Sequence, residues 1–291
     1  MMNSQTQDRL EQAVCSRSER VEEPAGREVE TLCEREALVI AEELGCHLGE
    51  VYKAALSKGI HPYRYLRNWE SISLEEQLRL AESKVGVVGA GGLGGQTIML
   101  LARIGIGHLV IADPDAFDET NLNRQAFSTC QALGSPKVGI VASVVQGINP
   151  AVVLTCHQKR IEPSNVRKML EGCHLVVDAL DNVPDRFLLE KAAKELGIPM
   201  IHGAIAGFEG RLMTIFPEDP GLRQLYGSEG ADQKNRKGPE LLLGTPGPTP
   251  ALIASLQVME VCKVILDRGN ILRNRMLHVD LETGATNEFF F

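Results

Sequence analysis

Apolar residues along the chain fall into short runs typical of buried strands and into longer stretches with helical spacing. The predicted strands are Val85–Val88, His108–Ala112, Val152–Thr155, Leu175–Val177, Pro199–Ala206, Gly210–Phe216, Met276–Asp280 and Thr286–Phe291. The predicted helices are Leu74–Ala81, Gln96–Ile104, Val138–Gln146, Val166–Leu170, Val183–Leu196 and Pro248–Leu266. Because strands first alternate with helices and later follow one another, we predict an open α/β sheet with a parallel half and an antiparallel C-terminal half.

The N-terminal part of the chain has a different pattern. Residues 1–30 are charged and polar, which predicts a mobile, flexible tail. Residues 31–60 show two helical stretches, Leu32–Leu44 and Leu48–Lys58, which predict a small helical subdomain. The pair resembles a DNA-binding helix-turn-helix, but little positive charge follows the second helix, so we favour docking or dimerisation. His61–Asn68 reads as an extended linker, because Pro62 disfavours helix just before it.

A glycine-rich turn, Gly89–Gly94, joins the strand Val85–Val88 to the next helix. Such a turn lets the backbone approach phosphate, and the helix N-terminus presents free N–H groups to the anion. The second strand of the unit ends at Asp113, where an acid can bond ribose hydroxyls. We therefore predict a Rossmann-like, nucleotide-binding half of the sheet.

Polar and cationic residues past the second strand indicate which nucleotide is bound. They are Asp115, Thr120, Asn121, Arg124 and Lys137. A triphosphate needs more cationic compensation than a dinucleotide, and arginine can bond two phosphate oxygens while lysine supplies a point charge. The alternative for the two cations is a solvated surface pair.

Asp181 and Asn182 follow the strand Leu175–Val177. Carboxylates just past the end of a parallel strand lie at the crevice where open α/β sheets bind ligands, so Asp181 is a candidate Mg²⁺ ligand. Either residue could instead, or in addition, cap the helix Val183–Leu196. We expect a structural role for Asp178.

The C-terminal third contains a long loop and an aromatic end. Pro217–Pro246 loses periodicity and is predicted to be a loop, and loops of this length are usually functional or mobile. Phe289–Phe291 is predicted to be the core end of an edge strand, with a partner-binding tail as the alternative.

Composition excludes several classes of protein. The formal net charge of −8 argues against a nucleic-acid footprint. We find no apolar run long enough to span a bilayer and no N-terminal signal, so no membrane partner is expected. The seven cysteines lack CxxC spacing and read as reduced thiols, which predicts a cytoplasmic protein.

Several of these motifs together resemble the ThiF/MoeB/HesA adenylyltransferases, relatives of the ubiquitin-activating enzymes. The resemblance runs from about Arg64 to the C-terminus, with the motifs in the family's order and spacing. They are RYLRN at Arg64–Asn68, GAGGLG at Gly89–Gly94, the acids of Asp113–Asp115, NLNRQ at Asn121–Gln125, PK at Pro136–Lys137 and DALDN at Asp178–Asn182. The resemblance implies that residues 61–291 form an ATP-binding adenylyltransferase domain.

The same resemblance implies a reaction and a set of site residues. The substrate would be the C-terminal glycine of a small ubiquitin-like sulfur carrier protein ending in Gly-Gly, adenylated with release of pyrophosphate. Arg67 would act as an arginine finger in the partner subunit's ATP site, which implies a homodimer. Arg124, Lys137 and Asp181, the last with Mg²⁺, would be catalytic. The residues expected at the nucleotide are Gly89, Gly91, Gly92, Gly94, Asp113, Asp115, Thr120, Asn121, Arg124, Gln125, Lys137, Asp181 and Asn182.

The chain departs from the family in its cysteines. Many members bind a structural zinc through two CxxC pairs, and some use a catalytic cysteine. No cysteine lies between Cys173 and Cys262, so we expect no zinc and no persulfide step. An NAD(P)-dependent oxidoreductase and a non-catalytic scaffold remain alternatives. The carrier (thiamin, molybdopterin or tungsten type), the sulfur donor and whether the substrate is a protein at all stay open.

Overall fold

The computed structural model describes residues 4–23, 25–227 and 242–291. Its strands are β1 (Glu19–Glu22), β2 (Glu28–Leu32), β3 (His61–Pro62), β4 (Lys84–Val88), β5 (His108–Ala112), β6 (Val153–His157), β7 (Leu175–Asp178), β8 (Met200–Ala206), β9 (Glu209–Ile215), β10 (Arg275–Asp280) and β11 (Ala285–Phe290). Its α-helices are α1 (Ser4–Arg17), α2 (Glu34–Leu44), α3 (Leu48–Ser57), α4 (Leu74–Glu82), α5 (Gly92–Ile104), α6 (Lys137–Ile148), α7 (Val166–Met169), α8 (Val183–Leu196), α9 (Arg223–Tyr226) and α10 (Pro248–Leu266). Short 3₁₀ helices lie at Tyr63–Asn68, Glu119–Asn121 and Cys130–Ala132.

The main sheet has eight strands in the order β11-β10-β9-β8-β7-β4-β5-β6. Strands β6, β5, β4, β7 and β8 are parallel neighbours, whereas β8 through β11 pair antiparallel. Helical crossovers such as α5 permit parallel pairing, and the two-residue connection between β8 and β9 forces a hairpin. The predicted α/β sheet, with its parallel and antiparallel halves, is confirmed.

Helices cover both faces of this sheet. One core includes Val87 of β4, Ile98 and Leu101 of α5, and Val261 of α10. The other includes Val176 of β7 and Leu189, Ala192 and Ala193 of α8. The strand order places the carboxyl ends of β4, β5 and β7 side by side, which builds the crevice described below.

Helix α10 qualifies the expectation that no apolar run could span a bilayer. It is long and apolar enough by length and composition, but 56% of its most apolar window is buried in the protein. Its partners are α5 and strands β8 and β9. We interpret α10 as a core helix, which satisfies the same length and composition criteria as a membrane span.

The N-terminal region corrects two expectations. Residues 4–17 form helix α1, whose Leu10 and Val14 are fully buried against the core of α2 and α3, so the expected mobile tail is wrong for these residues. The region is also not purely helical, since β1, β2 and β3 form a three-stranded sheet. Leu10 and Val14 lie four residues apart on one face of α1. The other faces are polar, so the composition of the segment did not indicate a buried face.

The segment that joins this N-terminal unit to the sheet domain is folded rather than extended. After the two-residue strand β3, Tyr63–Asn68 forms a 3₁₀ helix. Pro62 keeps its extended conformation, and the 3₁₀ turns begin directly after it. Asn149 Nδ2 donates to the Tyr65 hydroxyl at 2.8 Å, and Arg64 donates to the carbonyl of Ile148 at 3.1 Å, so the segment is anchored to the sheet domain.

The aromatic C-terminus lies at the edge of the sheet, as expected, but outside the core. Phe289, Phe290 and Phe291 are 49%, 74% and 44% exposed, so their predicted core location is wrong. Strand β11 is an outer strand of the sheet and pairs with β10, and all six of its residues are exposed. Of the loop predicted at Pro217–Pro246, residues 223–226 form α9, and residues 228–241 lie outside the described part of the chain.

Candidate functional site

An open cleft of about 460 Å³ lies at the carboxyl ends of the parallel strands. Its lining comes from the glycine turn, the loop after β5, the start of α6, and the loops after β6 and β7. The predicted site residues that line it are Gly89, Gly91, Gly92, Asp113, Asp115, Asn121, Arg124, Gln125, Lys137, Asp181 and Asn182. The structure therefore brings predicted residues from four separated segments to one site.

The four glycines of the turn have two different roles. Gly89 has φ +99°, and a Cβ there would lie 2.5 Å from the carbonyl oxygen of Ala179. A Cβ on Gly94 would lie 1.9 Å from the carbonyl oxygen of Gly89, so only glycine fits either position. At Gly91 and Gly92 the nearest atoms to a Cβ lie 3.7 and 3.4 Å away, and both belong to side chains at the cleft. The missing side chain of Gly94 allows the backbone to turn tightly. The missing side chains of Gly91 and Gly92 leave the turn's backbone open to the cleft.

Asp113 holds the turn in place. Its Oδ2 accepts the Ala90 N–H at 2.7 Å, and its Oδ1 accepts the Asp115 N–H at 2.9 Å. Burial raises the pKa of this carboxyl, and the two backbone donors and Lys137 offset part of that rise. The ribose contact stays a prediction, and the carboxylate's lone pairs leave room for it.

Lys137 begins helix α6 and lies beneath the cleft. Its Nζ is 3.0 Å from Asp115 Oδ2, and its own side chain is only 7% exposed. The backbone repeats the contact, since Lys137 N–H donates to the carbonyl of Asp115 at 2.9 Å. A desolvated ammonium held at the floor of an open cleft is suited to binding an anionic ligand.

Arg124 and Gln125 flank the glycine turn from the opposite side. Arg124 Nη1 donates to the carbonyl of Thr120 at 2.7 Å, and its aliphatic stem lies against Gly92. Gln125 is buried, and its Oε1 has no hydrogen-bond partner among the described residues. A buried acceptor without a donor carries a free-energy cost that a ligand hydroxyl or amine would remove.

Thr120 and Asn121 differ although they are neighbours. Asn121 is buried in the cleft wall, where its Oδ1 accepts the Asp118 N–H at 3.1 Å. Thr120 is exposed and is not among the cleft-lining residues. Its carbonyl, which holds Arg124, links it to the site, so the expected side-chain contact has no support in this geometry.

Of the two roles that the sequence left open for Asp181 and Asn182, the structure shows the helix cap, and the Mg²⁺ ligand stays a prediction. Asn182 caps α8, since its Oδ1 accepts the Asp185 N–H at 2.9 Å. Its Nδ2 donates to Asp181 Oδ1 at 3.2 Å, and Asp181 lies exposed in the cleft lining. Within the described residues, no three His, Cys, Asp or Glu side chains lie close enough to hold a metal by themselves. One carboxylate completed by substrate phosphates fits Mg²⁺, which rarely uses an all-protein cage.

Arg67 lies away from this cleft. It is exposed on the Tyr63–Asn68 3₁₀ helix and is not among the cleft-lining residues of its own chain. Its role in a partner subunit stays a prediction.

Sequence reasoning missed several cleft residues. Lys159 and Arg160 follow β6, and Asp185 and Arg186 lie in the first turn of α8. Arg160 Nη2 pairs with Asp185 Oδ2 at 2.9 Å, joining the two segments. The rule that carboxyl ends of parallel strands meet at one edge could have found the first pair, had β6 been assigned next to β5.

Sequence comparison identifies proteins that are similar to this chain. The sequence profile of the ThiF family matches residues 63–290. The SAMP-activating enzyme E1 of Haloferax volcanii is 38% identical over 219 residues, which cover 75% of this chain and 80% of that protein. The adenylyltransferase and sulfurtransferase MOCS3 of Arabidopsis thaliana is 33% identical over 241 residues, which cover 80% of this chain and 51% of that protein. The chain thus spans about half the length of this second relative.

Structural comparison agrees on the fold. The crystal structure of E. coli MccB with AMPCPP and MccA has a TM-score of 0.66 and 19% sequence identity, covering 78% of this chain and 71% of that one. At this identity the match shows the shared fold alone.

Proposed function

Because this chain belongs to the ThiF family, we propose that it uses ATP to adenylate the C-terminal carboxylate of a small ubiquitin-like sulfur carrier protein. The observation that carries the proposal is the meeting of the bare glycine turn, buried Lys137 and exposed Asp181 in one cleft. The relatives named as an E1 and as an adenylyltransferase support the reaction class.

The nucleotide would lie along the strand ends with its phosphates over the glycine turn. Gly91 and Gly92 let phosphate oxygens approach the backbone, and the N-terminus of α5 adds its dipole. Asp113 lies beside the turn for the ribose, and Gln125 Oε1 supplies an acceptor that the protein itself does not satisfy. This placement uses the unsatisfied Gln125 acceptor and the glycine backbone that carries no side chains.

Charge compensation comes from three groups of this chain. Lys137 lies in the cleft floor, Arg124 can turn its guanidinium toward the cleft, and Asp181 would hold Mg²⁺. When bound, Mg²⁺ neutralises phosphate charge and supports the departure of pyrophosphate. Lys137 gains a stronger anionic partner than Asp115, which is 62% exposed and hydrated.

The reaction needs positioning more than acid–base chemistry. The carrier's terminal carboxylate is already ionised at neutral pH, so one of its oxygens can attack the α-phosphorus directly. A carboxyl O–P bond forms, the bond from the α-phosphorus to its bridging oxygen breaks, and pyrophosphate leaves with that electron pair. Holding the carboxylate in line, and binding the leaving charge, are therefore the protein's tasks.

We further propose a homodimer in which Arg67 completes the partner's site. Arg67 is exposed on a 3₁₀ helix that Arg64 and Tyr65 anchor to the sheet domain, and it makes no hydrogen bond or ion pair that involves the described residues. An arginine held outward on a fixed segment can bind phosphate oxygens of a neighbouring subunit. Adenylation would then depend on assembly.

The test is carrier-dependent exchange of labelled pyrophosphate into ATP, using small Gly-Gly-ending proteins and tail-truncated versions of each. Exchange should require both the intact tail and Mg²⁺. Asp181→Asn should lower it by at least about a hundredfold, whereas the matched Asp267→Asn change, at the exposed C-terminus of α10, should not.

Three outcomes are decisive. Exchange with one carrier establishes adenylation and identifies the substrate. A full-speed Asp181→Asn variant contradicts the metal role of that carboxylate. ATP binding without exchange for every carrier tested contradicts carrier adenylation and favours a scaffold or a substrate that is not a protein.

A further inference from the structure

A buried chain of hydrogen bonds ends at the backbone N–H of Leu180, the residue before Asp181. Asp178, at the end of β7, is fully buried, and its Oδ1 accepts the Leu180 N–H at 3.0 Å. Its Oδ2 lies 2.7 Å from Nδ1 of His202, which is equally buried on β8. His202 Nε2 lies 3.3 Å from the hydroxyl of Tyr226 on α9. The chain thus runs from α9, through two strands, to the loop that carries Asp181.

The two peptide units that flank the Leu180 Cα are each held by a hydrogen bond. Asp178 accepts from the N–H of Leu180, and Arg186 Nη2 donates to the carbonyl of Leu180 at 2.6 Å. Gln257 Nε2 also donates to the carbonyl of Asp178 at 2.9 Å, which fixes the backbone where the strand ends. These bonds leave the successive peptide planes little freedom, and the last of them, Leu180–Asp181, ends at the Cα of Asp181.

The directions of these bonds are consistent with one another. Asp178 accepts only, so His202 Nδ1 must carry the hydrogen. In the neutral tautomer Nε2 is then an acceptor, and it receives the Tyr226 hydroxyl hydrogen. The same hydroxyl accepts from Arg186 Nη1 at 3.1 Å. The His202 Nδ1, Tyr226 hydroxyl and Arg186 Nη1 donors each have an acceptor, and the arrangement specifies one orientation of the imidazole.

We propose that His202 and Tyr226 are positioning residues for Asp181, acting through Asp178 and the Leu180 peptide. They touch no reacting atom, and their effect is to fix where the Asp181 carboxylate meets the phosphates and Mg²⁺. The part concerning Mg²⁺ rests on the proposed adenylation, while the clamp on the peptide does not. Displacing a binding group by about 1 Å can cost about a hundredfold in rate, so the clamp has functional value.

The test compares two amide substitutions of His202. In His202→Asn the side-chain amide can take the position of Nδ1 and still donate to Asp178. In His202→Gln it can take the position of Nε2, which leaves Asp178 Oδ2 without that donor. Tyr226→Phe removes the far end of the chain, and Tyr63→Phe, at a tyrosine that is 52% exposed, is the control.

Two readouts are measured in the full chain. Hydrogen exchange of the Leu180 amide reports on the clamp without any substrate. The Mg²⁺ concentration that gives half-maximal pyrophosphate exchange reports on Asp181. For His202→Gln we expect faster amide exchange and an Mg²⁺ requirement raised about tenfold, with the KM for ATP at saturating Mg²⁺ within about twofold. Tyr63→Phe should stay near wild type, whereas His202→Asn and Tyr226→Phe, which both break the bond between His202 and Tyr226 but keep the donor to Asp178, should lie between.

The outcomes separate this proposal from the proposed function. Equal amide exchange in folded His202→Asn and His202→Gln proteins overturns the clamp. Faster amide exchange with an unchanged Mg²⁺ requirement overturns its link to Asp181. If the wild-type protein shows no pyrophosphate exchange, adenylation is wrong, and the Leu180 amide still decides the clamp. If His202→Gln does not fold, Tyr226→Phe against Tyr63→Phe decides it by the same two readouts.

Discussion

Glu34 holds Arg64 through two parallel hydrogen bonds, from Nε to Oε2 at 2.8 Å and from Nη2 to Oε1 at 2.7 Å. Glu34 is the first residue of α2 in the N-terminal unit, and Arg64 lies three residues before Arg67. The Tyr52 hydroxyl donates to the same carboxylate at 2.7 Å. These hydrogen bonds fix the segment that carries Arg67 to the N-terminal unit. The N-terminal unit therefore has a structural role in the proposed site.

Glu34→Gln should weaken the contact between Glu34 and Arg64. The amide keeps one acceptor but loses the charge and the second Arg64 bond, so we expect a loss of about 1–3 kcal/mol in the free energy of unfolding. Urea denaturation measures this loss, and Glu28→Gln, at an exposed position of β2, is the control. An unchanged unfolding free energy would show that the pair contributes nothing to stability. Pyrophosphate exchange should also fall in this variant if Arg67 acts as proposed.

Gly91→Ala and Gly94→Ala should separate nucleotide binding from folding. A methyl group at Gly91 meets no atom closer than 3.7 Å, so the fold should tolerate it while ATP affinity falls about tenfold or more. A methyl group at Gly94 would lie 1.9 Å from the carbonyl oxygen of Gly89, which should cost about 2–4 kcal/mol of stability. Nucleotide titration and urea unfolding of both variants give the two quantities. Reversed effects would contradict the assigned roles.

Asp113 should make ATP binding sensitive to mildly acidic pH. Burial raises its pKa, so the carboxyl takes up a proton at a higher pH than an ordinary aspartate does. Protonation removes one acceptor from the pair that holds Ala90 and Asp115, and ATP affinity should fall as pH falls through this raised pKa. Titrations from about pH 7 to about pH 4.5 should show the fall in wild type. They should show weak, pH-independent binding in Asp113→Asn. Parallel curves for the two proteins would exclude Asp113 as the titrating group.

The effect of the same group on stability has the opposite sign. Since the folded-state pKa of Asp113 lies above the unfolded value, the folded state binds the proton more tightly. Its contribution to the free energy of unfolding therefore rises as pH falls through the folded-state pKa. Weaker ATP binding in this range cannot then be attributed to unfolding through Asp113.

Elements whose ends are marked by a capping residue, a glycine or a proline could be predicted from the sequence. Helix α8 begins after its cap Asn182 and ends at Gly197 in the left-handed conformation, and its predicted bounds are those observed. Helix α10, opened by prolines, is also observed as predicted. Helix α1 was missed, because only Leu10 and Val14 mark its buried face and their partners lie on distant α2 and α3. That helix is stabilised by tertiary contacts, and the composition of the segment does not reveal those contacts.

The same distinction applies to the candidate site: some of its residues follow from local sequence pattern, and others depend on the tertiary fold. The glycine turn and Asp113 are contiguous with strands and follow from local pattern. Lys159 and Arg186 enter the cleft only through the strand order, which places the loops after β6 and β7 at one edge. The partnership of His202 with Asp178 depends on the register of β7 and β8, which pairs these two residues directly. Register is set by long-range packing, so no sequence window reveals it.

The trans role of Arg67 can be tested by complementation between subunits. Arg67→Ala and Asp181→Asn should each be inactive alone. In a heterodimer of the two, isolated through a different tag on each chain, the intact Arg67 of one chain meets the intact Asp181 of the other. One of two sites is then complete, so the heterodimer should regain about half of the wild-type exchange rate.

The alternatives give different results in the same experiment. If Arg67 acts within its own chain, neither site of that heterodimer is complete and no activity returns. If no heterodimer can be isolated, the homodimer itself is wrong. A heterodimer of Arg35→Ala and Asp181→Asn is the control, because Arg35 has a side chain that is 86% exposed on α2. It should keep about half of the activity whichever way Arg67 acts, since its wild-type Asp181 site has Arg67 available from both chains.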